Sequence, residues 1–93
     1  MGDVLCKLGY EGDLDTIRLF NMCGANLMIS NFDGRTLAHI AAAEGKVEII
    51  NFLVNEIKLN IMVFDRWGNT PYDDSNEEIK KIINEKFKCN LHQ

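Results

Sequence analysis

A chain of 93 residues, 46% hydrophobic and 26% charged, suits one small globular domain spanning 1–93 and is short for an enzyme that encloses its substrate. Its net charge of −4 repels phosphate backbones, so nucleic acid is not an expected partner. No apolar run approaches the roughly 20 residues of a membrane span, and the N-terminus lacks a basic-then-apolar leader, so no membrane partner is expected.

The first predicted element is a short helix over about 4–10, closed by a turn at Gly12. Leu14, Ile17 and Phe20 then fall on one face of a second helix. A linker containing Met28 leads to the loop "NFDGRT" at 31–36, with Gly34 inside it. Thr36 starts a helix over 37–43, "LAHIAAA", whose small residues let neighbouring helices approach. After Gly45, the spacing of Val47, Ile50, Leu53/Val54 and Ile57 marks one face of a longer helix. Ile61, Met62, Val63 and Phe64 are too apolar for a free loop and are expected either buried or on a contact surface. "DRWGNT" follows at 65–70, and Thr70-Pro71 opens a helix of about a single turn. Ser75-x-x-Glu78 reads as a capping box for a last helix to about Phe87, with Ile79, Ile82, Ile83 and Phe87 inward.

These elements repeat. "NFDGRT" aligns with "DRWGNT" at an offset of 34, pairing Gly34 with Gly68 and Thr36 with Thr70. "EGDLDTIRLF" aligns with "EGKVEIINFL" at an offset of 33, pairing Gly12 with Gly45. Each unit is therefore a loop, a short helix, a Gly turn and a longer helix. The units run at about 3–30, 31–64 and 65–88, and the last is clipped by five residues around its inter-helix turn. Cys6, Cys23 and Cys89 form no C-x-x-C pair, and their odd number predicts free, mostly buried thiols in a reducing compartment.

The period, Thr36-x-x-His39 before a small-residue helix, and Gly24-Ala25-Asn26-Leu27 resemble the ankyrin repeat. The resemblance implies an all-α solenoid of two to three helix-turn-helix units with hairpin-like connecting loops. It also implies that Thr36 caps its helix and hydrogen-bonds His39. In the third unit Asp73 stands in the His position. Residues 33–75 more narrowly resemble the C-terminal ankyrin segment of kidney- and liver-type glutaminases, through D-x-R-T, "AAAEG" and "DRWGNTPYD". Like that segment, the chain has Ile57-Lys58 where ordinary units have Gly-Ala, and Asn60 and Asp65 stand five apart. Two features depart from the pattern. The order Thr36-Leu37-Ala38-His39 exchanges the core Leu with its neighbour, which calls for local repacking. The catalytic part of a glutaminase is absent, so no active-site residue carries over.

The favoured reading is a non-catalytic protein-interaction module without metal or cofactor. It would be an accessory or regulatory C-terminal segment of a glutaminase-like enzyme, or a free-standing relative. Trp67 and Arg66 fall at a loop tip, with Phe32 and Asp33 at the equivalent tip one unit earlier; with Glu44 they are the candidate partner-binding residues. The opposing reading has the Trp67 ring packed on its loop base and Arg66 paired with an acid. Structural self-association is the alternative function, and a small hydrolase using His39 with Asp73 or Asp74 is less favoured. The compartment follows the parent: mitochondrial for a glutaminase tail, cytosolic for a free chain.

Overall fold

The structure, a computed structural model, describes residues 2–91, with side chains described for residues 3–85. The inward placement expected for Phe87 and the thiol of Cys89 lie outside the described side chains. Six α-helices are formed among the described residues: α1 (Gly2–Glu11), α2 (Leu14–Met22), α3 (Leu37–Ala43), α4 (Val47–Asn51), α5 (Pro71–Asp74) and α6 (Glu77–Leu91). α4 continues without a break into a π-helical turn, Phe52–Glu56. The first helices of the units pack side by side, α1 on α3 and α3 on α5, and α6 packs on α4 and its π-helical end. An inner layer of α1, α3 and α5 therefore faces an outer layer of α2, α4 and α6. The apolar faces meet between the layers, where Leu5, Ile17, Leu37, Ile50, Leu53, Ile79 and Ile83 are buried.

The exchanged order at 37–38 has a specific compensation. Leu37 and Ala38 are both fully buried, and the Cδ1 of Leu37 sits 2.8 Å from where a Cβ on Gly9 would stand. The missing side chain on α1 is the space that the displaced leucine occupies. Any larger residue at position 9 would compete with it.

The two repeat offsets, 33 in the helices and 34 in the loops, are reconciled at the π-helical turn. In the first unit the N–H of Ala25 donates to the carbonyl of Phe20 (3.0 Å). In the second the matching bond runs from Leu59 to Leu53 (2.8 Å) and encloses one residue more. The N–H of Ile57 closes the wide turn on Phe52 (3.1 Å). A single added residue in a helix is accommodated as such a bulge. The loops beyond are in register again: Asn26 accepts from the N–H of Met28, and Asn60 from that of Met62, each at 3.0 Å.

One consequence is strain at Lys58. It adopts φ 54°, the only non-Gly residue among those described with positive φ, and it occupies the position held by Gly24 in the first unit. A left-handed conformation costs a side-chain-bearing residue roughly 1–2 kcal/mol, partly offset by the entropy that Gly loses on folding. Lys58→Gly is expected to stabilise the fold by about 1 kcal/mol in urea titration.

Two expectations are corrected. Ser75 does not cap α6; it ends α5, and its hydroxyl donates to the carbonyl of Tyr72 (2.6 Å). Asn76 takes the cap instead, accepting from the N–H of Ile79 (2.9 Å), because Ser75 is already committed to the preceding turn. Cys23 is exposed where the chain leaves α2, and Cys6 is only half-buried, its thiol donating to the carbonyl of Arg35 (3.5 Å). Of the apolar linker, Ile61 is buried, Met62 and Val63 are half-buried, and Phe64 is exposed.

Candidate interaction surface

Each loop tip is built on one side chain. The Oδ1 of Asn31 accepts from the N–H groups of Asp33 (2.9 Å) and Arg35 (3.1 Å). The Oδ1 of Asp65 does the same for Trp67 and Asn69, both at 2.9 Å. Short polar side chains that bond their own downstream backbone fold the chain into such turns. The two tips are joined directly, because the N–H of Arg66 donates to the carbonyl of Asp33 (2.8 Å). Gly34 makes that approach possible. It holds φ 74°, and a Cβ there would stand 3.2 Å from the Arg66 nitrogen.

On this base Trp67 and Phe32 point outward, 60% and 95% exposed. The guanidinium of Arg66 lies 5.5 Å from the centre of the Trp67 ring and 3.4 Å from the Asp33 carboxylate. The Trp67 ring therefore stays off the loop base, while Arg66 does pair with an acid, in an exposed contact worth little by itself. Arg66, Trp67, Phe32 and Asp33 are brought together. Glu44 is not: it caps the far end of the seven-residue α3, on the order of 10 Å along the helix axis from Thr36.

The helix starts are closed boxes. The hydroxyl of Thr36 accepts from the N–H of His39, and the N–H of Thr36 donates to the Nδ1 of His39 (3.1 Å). The hydrogen is thereby placed on Nε2, which donates across the unit boundary to the carbonyl of Asn69 (2.9 Å). His39 is fully buried with both ring nitrogens engaged, which leaves none to act as a base. In the third unit the Oδ2 of Asp73 accepts from the N–H (2.9 Å) and hydroxyl (3.1 Å) of Thr70, with Pro71 in the first turn. The residue types differ between the units, but the box is the same.

Arg35 is the participant that sequence reading missed. Its Nη1 reaches the Oδ2 of Asp65 (3.0 Å) and its Nη2 the Oδ2 of Asp74 (3.1 Å), tying one loop to the next loop and to α5. Asp65 is a buried carboxylate with every near donor aimed at it. Burial pushes its carboxyl up, but the amides of Asn69 and Trp67 and the charge of Arg35 hold it below the usual carboxylate range. A value lower in the folded chain than in the unfolded one contributes stability above about pH 4. That contribution is lost as pH falls through the folded value. Asp65→Asn is thus expected to lose less Tm than the parent between about pH 5 and pH 3. An unchanged acid limb would place the sensitive carboxylates elsewhere.

Stacked helix pairs with paired loop tips define a helical repeat solenoid. The chain belongs to the ankyrin-repeat family: the family model described as ankyrin repeats (3 copies) matches residues 5–90. Among curated proteins it is 42% identical over 66 residues to the mitochondrial liver isoform of glutaminase from Mus musculus, covering 71% of this chain and 11% of that protein. It is 48% identical over 64 residues to putative glutaminase 2 of Caenorhabditis elegans, covering 69% of this chain and 11% of that one. The potassium channel GORK of Arabidopsis thaliana is 33% identical over 86 residues, covering 88% of this chain and 10% of the channel. The chain thus spans about a tenth of the length of the curated relatives it matches. None of the described helices is long and apolar enough to cross a membrane.

Proposed function

We propose that the chain is a non-catalytic protein-interaction module whose contact surface centres on Arg66, Trp67, Phe32 and Asp33. The carrying observation is the joined pair of tips, which holds two exposed aromatic rings and an Arg on a rigid hydrogen-bonded base. Aromatic residues and Arg are the commonest anchors of protein interfaces, and a preformed tip loses little entropy on binding. Glu44 is a second contact further along the inner layer. The three units, 3–30, 31–64 and 65–88, act as one domain, an accessory and regulatory segment of a glutaminase-like enzyme or a free-standing relative. Its compartment follows that parent, mitochondrial in the first case and cytosolic in the second.

The reading is tested by installing a photo-crosslinking side chain at position 32 and recovering the protein adduct. Trp67→Ala is expected to abolish the adduct while changing Tm by less than about 3 °C, as for an exposed position. A retained adduct, or a Tm fall above about 10 °C, would overturn it. Self-association is favoured by a different observation. Val4, Leu19 and Met22 are exposed on α1 and α2. Sizing the chain across concentrations decides that reading.

A further inference from the structure

Charge is divided unequally between the two layers. In the outer layer, α2, α4 with its π-helical end, and α6, together with the residues capping them, seven Asp and Glu stand against six Lys and Arg. A net −3 of the total −4 therefore falls on α1, α3, α5 and the loops that precede them. Within that inner layer Arg35 is committed to Asp65 and Asp74, and Arg66 to Asp33. Asp3, Glu11, Glu44 and Asp73 remain exposed, with Lys7 and Lys58 as the uncommitted cations among the described residues.

Exposed aromatic rings follow the same division. Tyr10, Phe32, Phe64 and Trp67 are exposed on the inner layer and its loops, whereas Phe52 of the outer layer is buried and Phe20 half-buried. The outer layer is close to electrical balance, and its described rings are turned in. The inner face combines unpaired carboxylates with open ring faces. Side chains that satisfy both are cations on apolar stems, through Coulomb attraction and stacking on the ring face. The molecule already contains such contacts: the Arg66 guanidinium lies over Trp67 at the tip, as Arg18 does over Phe52 and Lys80 over Tyr72 elsewhere.

We infer that the inner-layer face and its loop tips dock a basic segment of a partner protein, rich in Arg and Lys. The inference rests on the interaction-module reading and adds the chemistry of the partner. A second copy of the chain does not suit this face, because two surfaces of the same sign repel. Nucleic acid is excluded by the same sign.

The test uses the whole chain and short fluorescein-labelled peptides of alternating Arg and Ala, Glu and Ala, or Ser and Ala, followed by anisotropy at low and at about 0.15 M salt. The Arg peptide is expected to bind and to weaken as salt rises; the other two are not. Glu44→Lys and Glu85→Lys change net charge equally, but Glu85 lies on the outer-layer helix α6. Glu44→Lys and Trp67→Ala are each expected to weaken binding about tenfold, and Glu85→Lys less than about twofold. Equal losses from Glu44→Lys and Glu85→Lys would reduce the attraction to net charge and overturn the inference. Failure of the Arg peptide to bind overturns it as well. Binding of all three peptides that is lost in Trp67→Ala overturns it too, yet leaves the tip reading standing. Binding of the Arg peptide that Glu44→Lys abolishes and Trp67→Ala spares supports the basic partner and removes the tip from the surface.

Discussion

Arg35→Ala is expected to lower Tm by about 10 °C or more. The reason lies in what is left behind. Asp65 keeps its buried carboxylate and its two backbone donors but loses its Arg35 cation, and Asp74 loses its ion pair in the same step. An uncompensated buried charge is far more costly than the pair was favourable. Arg35→Lys should rescue little, because one ammonium cannot reach two carboxylates with a fixed fork. Arg35→Ala combined with Asp65→Asn should recover part of the loss, since the orphaned charge is then gone. A Tm change below about 3 °C for Arg35→Ala would show that the bridge is held only by solvent-screened contacts. The consequence reaches function, because this bridge fixes the loop that carries Trp67.

His39→Ala is expected to destabilise by about 3 kcal/mol, read from urea titration. Deleting the ring strips the Thr36 N–H of its partner inside the protein, leaves the Asn69 carbonyl with the Asp65 N–H alone, and opens a cavity in the inner layer. Thr36 still caps α3 through its hydroxyl, so the helix itself should survive. What weakens is the seam between the second and third units. The same variant separates a structural His from a chemical one. A chain that stayed as stable as the parent while losing a measured hydrolysis would contradict the bonding described here.

Much of this was legible along the chain, for reasons that differ by residue. Thr36 with His39 and Thr70 with Pro71 were read as helix starts, because capping acts within three residues of sequence. The clipped third unit followed from the spacing of Ser75, Glu77 and Ile79, although its cap moved to Asn76 because Ser75 closes the preceding turn instead. The misplaced Leu37 was visible as an irregularity, but its remedy was not. Gly9 lies a full helix and a loop away, and nothing in its neighbourhood announces a cavity. The offset of 33 against 34 was equally visible, yet only the bond from Leu59 to Leu53 shows where the extra residue went.

The amino-acid sequence by itself determined the repeat, the helices and the composition of the tips. Those depend on periodicity, caps and turns, all of which act within a few residues. Tertiary structure alone decided that Trp67 stays exposed, that Arg35 joins residues 30 and 39 positions away, and that most of the unbalanced charge gathers on one layer. Those outcomes depend on which residues the stacking of units brings together. Distances across the stack are not written in any local pattern.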